Sequence, residues 1–282
     1  MNILEAIFLG IIQGITEFLP ISSTGHLTLA GKFMNLISPE HPEQWTAFIA
    51  VIQIGTLIAV LIYFWKDILN IISSFFKQNI FSRRKFSEQD QNSRLGWFII
   101  IGTIPVIIFG LLFKHIIEGS LTKNLYVISG SLIGLAVILA VAERTAKFRK
   151  EIKDISAADS FLIGVAQSFA LIPGSSRSGT TITGGLFLGL NREAAARFSF
   201  LLSIPAVFAS GLLELYESLK FLDASMSINL AVATVFSAAS GYAAIDFLLK
   251  YLRKNSTFVF IYYRIVLGLF ILILLWSNII LP

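Results

Sequence analysis

Six long apolar stretches run along the sequence, and each is long enough to cross a membrane as a helix. A transmembrane helix needs about 20 apolar residues to cross a hydrocarbon core about 30 Å thick, whereas a barrel strand would show about ten residues of alternating polarity. The pattern therefore predicts an all-α polytopic membrane protein with six transmembrane helices. The predicted spans are 46–65, 97–117, 125–142, 196–215, 228–250 and 258–281.

Two further apolar segments are interrupted in the middle by proline, glycine and hydroxyl residues. The first covers residues 1–34 and breaks at Pro20 and Ser22–Gly25, and the second covers residues 160–190 and breaks at Pro173–Gly179. Neither half of such a segment is long enough to cross the membrane alone. We therefore expect two re-entrant helical hairpins, each of which returns to the side of the membrane from which it entered.

The overall composition agrees with a membrane protein. Only 14% of the residues are charged, 55% are hydrophobic and the mean hydropathy is +0.78, values that exclude an ordinary soluble domain. Cysteine is absent, which excludes disulfides and thiolate chemistry.

The basic residues indicate on which side of the membrane each loop lies. Sixteen of the 22 Lys and Arg residues fall in the segments 66–96, 143–159, 191–197 and 250–257. Because cytoplasmic loops are enriched in Lys and Arg, these four segments are predicted to be cytoplasmic. This topology also accounts for the net charge of +5. We therefore expect membrane lipids as partners and no nucleic acid.

The two interrupted segments also resemble each other in sequence. GIIQGITEFLPISSTG at 10–25 aligns with GVAQSFALIPGSSRSG at 164–179 with one gap, and the full spans that follow run in opposite directions. This pattern is typical of an inverted-topology repeat whose two broken tips meet near the membrane midplane and form a site. The predicted organisation is a single integral membrane domain, 1–282, with repeats at roughly 1–65 and 160–215 and further spans within 97–142 and 228–281.

The tip of the second hairpin carries residues expected to bind an anion. Arg177 has a planar guanidinium suited to phosphate oxygens, and an arginine at membrane depth indicates a functional site. Pro173 and Gly174 end the first half-helix beside the ligand, and Gly179 is expected to let the second half-helix approach the ligand closely. A contact between small residues of packed helices is the alternative interpretation. Further hydrogen bonds to the anion are expected from Ser175, Ser176, Ser178, Thr180 and Thr181.

The tip of the first hairpin carries residues typical of phosphate chemistry. Gln13 and Glu17 share one helical face at a spacing of four, and Ser23 and His26 lie three residues apart after the break. A serine next to a histidine can be an activated nucleophile. Glu17 can hold a divalent cation, orient His26 or transfer a proton. The alternatives are that Glu17 satisfies a helix terminus and that His26 is a packed, hydrogen-bonded residue.

These motifs resemble those of the undecaprenyl-diphosphate phosphatase family, also called the bacitracin-resistance family. Residues 13–17 resemble its (E/Q)-x-x-x-E motif, and SSTGH at 22–26 follows at the family's spacing. PGSSRSGTT at 173–181 resembles its P-G-x-S-R-S-x-x-T motif. The resemblance covers essentially the whole chain.

The resemblance implies an enzyme that hydrolyses undecaprenyl diphosphate to undecaprenyl phosphate. This reaction recycles the lipid carrier of peptidoglycan synthesis and confers resistance to bacitracin. The resemblance also implies a multi-pass protein of the bacterial plasma membrane, with an active site open to the outer face. A divalent cation, Mg²⁺ or Ca²⁺, is the implied cofactor.

The resemblance further implies roles for individual residues. The matches to the family's two catalytic regions are Glu17, Ser23 and His26 in the first and Ser176, Arg177 and Thr181 in the second. Arg177 is the expected diphosphate clamp and Glu17 the expected metal ligand. Gln13, a further expected substrate contact, stands where many members have a second glutamate, which weakens a metal site built on two carboxylates. Ser23 with His26 as its base is the preferred mechanism, and direct attack by His26 is the rival.

Three questions stay open at the level of sequence. A transporter or flippase for polyprenyl phosphate or another anionic substrate would use the same inverted, broken helices. Arg264 in the last span is either a snorkelling anchor at the membrane interface or a residue that handles substrate. The oligomeric state is also open, and a homodimer is compatible with the sequence.

Overall fold

The fold is that of a computed structural model, which describes residues 1–37, 42–113, 124–218 and 224–281. Within these ranges the chain is helical, which confirms the predicted all-α class. The helices are α1 (Ile3–Phe18), α2 (Ser23–Phe33), α3 (Pro42–Tyr63), α4 (Trp65–Phe76), α5 (Gln91–Leu112), α6 (Leu125–Thr145), α7 (Ala157–Ser168), α8 (Arg177–Phe187), α9 (Arg192–Ser218), α10 (Ala224–Leu252) and α11 (Phe258–Trp276).

The number of helices that could cross a membrane is five to six within the described ranges. Helices α5, α6, α9, α10 and α11 are long and apolar enough on their own. A sixth span results only if α3 and the helical segment after it are taken together, although the two are bent by 77°. The multi-pass architecture is therefore confirmed. The predicted span 46–65 ends at this bend. Asp67, which follows the bend, pairs with Arg197 at 2.7 Å.

Both interrupted segments break with the same local geometry. Ser22 precedes α2 with φ 76° and ψ 102°, and Ser176 precedes α8 with φ 67° and ψ 109°. Each serine side chain accepts a hydrogen bond of 3.2 Å from a backbone N–H three residues on, that of Gly25 or Gly179. A non-glycine residue at positive φ costs of order 1–3 kcal/mol. Two such serines at matching positions show that each break is a specified feature of the fold.

Glycines allow the hairpin helices to pack closely on their neighbours. A Cβ atom at Gly14 of α1 would lie 2.0 Å from Oγ of Ser240 in α10. A Cβ atom at Gly164 of α7 would lie 2.2 Å from the carbonyl oxygen of Gly102 in α5. Close approach at small residues is the usual way in which helices associate inside a membrane. Each hairpin is therefore fixed against a long helix.

The four segments rich in basic residues meet at one end of the molecule, which we call the basic end. Arg197 pairs with Asp67, Arg253 pairs with Glu193 at 2.8 Å, and Arg192 pairs with Glu143. The hydroxyl of Thr257 also donates to Glu143, at 2.9 Å. These contacts agree with the prediction that the four segments share one side of the membrane.

The two interrupted segments are tied to opposite ends of the molecule. The second interrupted segment is tied to the basic end at its beginning and at its end, and both contacts are made by Lys150. The Lys150 side chain pairs with Asp159 at 3.0 Å, and the Lys150 backbone N–H donates to the carbonyl of Gly189 at 2.9 Å. The first hairpin finishes where Lys32 donates to the backbone carbonyl of Leu281 at 2.6 Å. Leu281 follows the end of α11, and α11 begins near the basic end. The contact of Lys32 therefore lies at the opposite end of the molecule.

Candidate active site

A cavity of about 530 Å³ lies where the two broken tips come together. Its polar wall is formed by the tips, and its apolar wall is formed by α5 and α9. The polar lining comprises Glu17, Ser22, Ser23, Thr24, Gln53, Gln167, Ser175, Ser176, Arg177 and Ser210, and the apolar lining includes Val106, Ile107, Leu111, Ala206, Val207 and Leu213. A cavity with one polar and one apolar wall suits an amphipathic ligand.

Glu17 joins the two tips at the floor of this cavity. Its Oε1 pairs with Nη2 of Arg177 at 2.7 Å. Its Oε2 accepts hydrogen bonds from Oγ of Ser23 at 2.7 Å and from Nε2 of Gln13 at 3.0 Å. The carboxylate is buried, and a buried charge needs such a partner and such hydrogen bonds to be tolerated. The positive charge of Arg177 is therefore balanced by Glu17.

Ser23 and His26 do not pair with each other in this structure. The Ser23 hydroxyl donates to Glu17, whereas Nδ1 of His26 lies 2.7 Å from the carbonyl oxygen of Ser22. The other ring nitrogen, Nε2, lies 2.6 Å from the Tyr263 hydroxyl, with the two rings stacked. Because a carbonyl oxygen only accepts, Nδ1 carries the proton. His26 therefore does not accept the Ser23 hydroxyl proton in this structure. The group that accepts the hydrogen bond from Ser23 is the Glu17 carboxylate.

Ser178 and Thr181, like Thr180, were predicted to bind the anion, but their hydroxyls bond to protein groups and do not line the cavity. Ser178 donates to the carbonyl of Leu19 at 3.1 Å and so connects the second tip to the first. Thr181 is buried and bonds to Ser199 of α9 and to the carbonyl of Arg177. Neither residue lines the cavity. Both sit within the first turns of α8, on the side that packs on other helices.

The two glycines predicted to lie close to the ligand, Gly174 and Gly179, are in different environments. Gly174 lines the cavity at φ +87°, and a Cβ atom there would lie 2.5 Å from the carbonyl oxygen of Ile128. Gly179 was expected to approach a ligand, but it does not line the cavity. A Cβ atom at Gly179 would lie 2.6 Å from Nη1 of Arg264. The close approach at Gly179 is therefore to a guanidinium of the protein itself.

Ser175 and Ser176 do line the cavity, as the sequence predicts for ligand-binding residues. The Ser175 hydroxyl is buried and has no hydrogen-bond partner among the described residues. The Ser176 hydroxyl caps α8 and also lies 3.2 Å from the Ser178 hydroxyl. Ser175 is thus the hydroxyl at this tip that remains free to bond a ligand.

Buried polar atoms without a partner are concentrated around the two tips. Nearly all buried polar groups in proteins are hydrogen-bonded, so each exception asks for an explanation. Their concentration beside one cavity indicates that a polar ligand completes the hydrogen bonding. Apart from the indole nitrogen of Trp45, the unpartnered atoms of the described residues are Oε1 of Gln13, both amide atoms of Gln167, Oγ of Ser175, Nη1 of Arg177 and Nη1 of Arg264.

Comparison with known proteins assigns the chain to a family. Residues 6–270 match the family model described as bacitracin resistance protein BacA. The chain belongs to this BacA family. Among similar proteins, an undecaprenyl-diphosphatase of Syntrophobacter fumaroxidans is 60% identical over 268 residues, which cover 95% of each chain. An undecaprenyl-diphosphatase of Chlorobium phaeovibrioides is 51% identical over the full length of both chains. Another, from Chloroherpeton thalassium, is 54% identical over 98% of this chain and 97% of the relative.

The cavity of this BacA-family protein includes polar residues that sequence reasoning missed. Gln167 lines it from α7 and is fully buried. Its signal was present, because Gln167 aligns with Gln13 in the two similar segments. Gln53 lines the cavity from α3, and Tyr263 reaches His26 from α11. No motif marks these two residues, and only the packing of distant helices brings them to the site.

Arg264 is not a snorkelling anchor. Its side chain is fully buried in α11, with Nη2 donating to the carbonyl of Ser175 at 2.9 Å and Nε donating to that of Leu132 at 3.3 Å. A snorkelling arginine would place its charged head in water. The alternative that associates Arg264 with the site is the one that agrees with these contacts.

Proposed function

We propose that this protein is an integral membrane phosphatase that hydrolyses undecaprenyl diphosphate to undecaprenyl phosphate and inorganic phosphate. This activity recycles the lipid carrier for peptidoglycan synthesis and confers bacitracin resistance. The observation that carries the proposal is the junction of Glu17, Ser23 and Arg177 at the floor of a half-apolar cavity. Membership of the BacA family and the names of the chain's relatives support the same substrate.

The diphosphate headgroup binds between the two tips. The tips present the N-termini of α2 and α8, whose free N–H groups favour an anion. Arg177 keeps a buried, unpartnered nitrogen, Nη1, beside the one that bonds to Glu17. The Ser175 hydroxyl and the Gln167 amide supply further unpartnered polar atoms in the cavity. Binding of phosphate oxygens satisfies these groups, which otherwise stay buried without hydrogen bonds.

The prenyl tail lies along the apolar wall between α5 and α9. Gly110 lines the cavity on α5, and no atom lies within 4 Å of a Cβ atom placed there. The neighbouring side chains of Ile107 and Leu111 are exposed and face a lipid environment. A lipid tail can therefore pass from the membrane to the tips without crossing a polar surface. This route explains why a phosphatase can be built almost wholly within the membrane.

The chemistry assigns Ser23 as nucleophile and Glu17 as the group that moves its proton. The Ser23 oxygen attacks the terminal phosphorus, its proton passes through Glu17 to the departing lipid phosphate, and the bond to the bridging oxygen breaks. Water then attacks the phosphoserine, and its proton returns through Glu17 to the Ser23 oxygen. Direct attack by His26 is disfavoured, because His26 does not line the cavity and both of its ring nitrogens are engaged.

A divalent cation, Mg²⁺ or Ca²⁺, completes the proposal. Among the residues that the structure describes, no cluster of three or more His, Cys, Asp or Glu side chains could hold a metal alone. The Glu17 carboxylate and the unpartnered Oε1 of Gln13 are oxygen ligands of the kind that these cations prefer. They fit a cation that is bound jointly with the diphosphate. Such a cation supplies neutralisation of phosphate charge when bound.

The proposed topology has six spans and two re-entrant hairpins in an inverted repeat. The matching geometry of Ser22 and Ser176 supports the repeat, and the ties of the hairpins to opposite ends support their opposite directions. With the basic end in the cytoplasm of a bacterium, the cavity opens to the outer face. Support comes from its apolar lining, which lies in the halves of α5 and α9 remote from the basic end. One chain completes the site, and a homodimer is compatible with it.

The competing function is a transporter or flippase of polyprenyl phosphate, and vesicles separate the two. The purified protein is placed in vesicles that contain undecaprenyl diphosphate, and phosphate release is measured in parallel with movement of the product across the bilayer. We expect phosphate release that a chelator stops and Mg²⁺ or Ca²⁺ restores. Movement of lipid phosphate without any phosphate release would contradict the phosphatase and favour the flippase.

A further inference from the structure

Arg264 is a buried cation whose described partners are all uncharged. Its guanidinium donates to two backbone carbonyls, those of Ser175 and Leu132. No carboxylate of the described residues forms an ion pair with it, and its Nη1 has no hydrogen-bond partner there. An unpaired charge at membrane depth is unfavourable, so its presence indicates a function. The missing counter-charge is the feature that needs explaining.

The charges around the cavity do not cancel. Arg177 is balanced by Glu17 at 2.7 Å, and this pair contributes no net charge. Arg264 therefore carries the uncompensated positive charge of the site within the described part of the chain. It lies directly behind the second tip, because Ser175 lines the cavity while its carbonyl accepts from Arg264. A charge in such a low-dielectric setting acts over several ångströms.

Resting on the proposed function, we propose that Arg264 is a positioning residue that makes the cavity selective for a multiply charged phosphate headgroup. It acts in two ways, through its positive charge and through the hydrogen bond that it donates to the second tip. The bond to the Ser175 carbonyl fixes the chain just before α8, where Arg177 begins the helix. Arg264 does not itself line the cavity, so its charge acts through the protein rather than by contact.

Gly179 provides the space that the Arg264 guanidinium occupies. Only a residue without a side chain leaves room for Nη1, since a Cβ atom at Gly179 would lie 2.6 Å from it. Gly179→Ala therefore shifts the guanidinium while keeping its charge. Arg264→Lys keeps the charge but loses the planar fork. Arg264→Gln removes both the charge and the bond to the Ser175 carbonyl, while its amide nitrogen takes the place of Nε as donor to the Leu132 carbonyl. Together these variants separate the effect of charge from the effect of position.

The experiment compares kcat and KM for undecaprenyl diphosphate, and inhibition by inorganic pyrophosphate, in the wild type and these variants. Arg264→Gln should raise both KM and the pyrophosphate inhibition constant about tenfold or more, and Arg264→Lys should restore most of the loss. Gly179→Ala should raise KM by less than Arg264→Gln does. Arg192→Gln is the control, because Arg192 is paired with Glu143 at the basic end. It should lower the unfolding temperature and leave both constants unchanged.

Three results would overturn the inference. They are a wild-type KM in Arg264→Gln, an Arg264→Lys variant that is no better than Arg264→Gln, and an equal rise of KM in Arg192→Gln. If Arg264→Gln does not fold, the inference is decided by Gly179→Ala, whose wild-type KM would contradict it. If the wild type releases no phosphate at all, the proposed function fails separately. The inference is then tested by whether pyrophosphate raises the unfolding temperature of the wild type more than that of Arg264→Lys and Gly179→Ala.

Discussion

Glu17 is the residue on which the site converges. Its two carboxylate oxygens receive Arg177 from the second hairpin and Ser23 and Gln13 from the first. An ion pair in this setting serves geometry more than stability, because the cost of burying both charges offsets most of their attraction. The pair holds a proton acceptor beside a hydroxyl at the bottom of a cavity. The chemistry of the site follows from that placement.

The buried amide of Gln167 leads to a prediction that separates function from stability. We expect Gln167→Leu to raise KM about fivefold to tenfold and to leave the unfolding temperature unchanged or higher. The folded protein loses no hydrogen bond, because both amide atoms lack a partner among the described residues, whereas the bound headgroup loses one. Steady-state kinetics and thermal unfolding in detergent measure the two effects.

Gln78→Leu is the matched control for this prediction. Gln78 is also buried, but its amide donates to Ser74 and Asp90 and its carbonyl accepts from the Asp90 N–H. Its removal should lower the unfolding temperature and leave KM unchanged. The interpretation of Gln167 is wrong if both variants lose stability equally and both keep the wild-type KM.

At the residue level the sequence identified the right tips but not every side chain's direction. Glu17, Ser23 and Arg177 meet at the cavity, yet Ser178 and Thr181 from the same motif pack against Leu19 and Ser199. A run of hydroxyl residues indicates that polar groups gather at a break. Which of them faces a ligand depends on the rotation of α8 against its neighbours, and no local pattern encodes that rotation.

Among the elements, the broken helices were the most predictable feature. Prolines and glycines interrupt apolar sequence at both breaks, and the serine caps Ser22 and Ser176 fix where α2 and α8 begin. The 77° bend before α4 was not predicted, because an apolar window reports length and composition but no direction. Helix packing at glycines is likewise visible only once the partners are known.

The glycine contact between α1 and α10 yields a prediction about stability. A Cβ atom at Gly14 would lie 2.0 Å from Oγ of Ser240 and 2.4 Å from the carbonyl oxygen of Ser237. Gly14→Ala should therefore push α1 away from α10 and destabilise the protein by about 1–3 kcal/mol. Because α1 carries Glu17, activity should fall as well. Denaturation in detergent and phosphate release measure the two losses.

Gly130→Ala in α6 serves as the control for Gly14→Ala. Gly130 is exposed, and no atom lies within 4 Å of a Cβ atom placed there. This variant should keep the wild-type stability and activity. Equal stability of Gly14→Ala and Gly130→Ala would show that close packing of α1 on α10 does not hold the first hairpin in place.

On the scale of the whole molecule, one end carries the basic segments and the other half carries the cavity. The basic end was predictable because the bias in Lys and Arg is a property of the sequence alone. For the cavity, the sequence predicted only the part of the lining that comes from the two tips. Its apolar wall comes from α5 and α9, which belong to different parts of the chain and share no motif. A cavity in the half remote from the basic end fits the proposed opening to the outer face.

The most direct test of the account is release of inorganic phosphate from undecaprenyl diphosphate by the purified protein and three variants. Ser23→Ala removes the proposed nucleophile, Arg177→Ala removes the partner that joins the tips, and Arg253→Ala removes an exposed ion pair at the basic end. We predict that the wild type and Arg253→Ala release phosphate at the same rate, and that Ser23→Ala and Arg177→Ala are slower by about 100-fold or more. Release near the wild-type rate by either site variant would contradict the account.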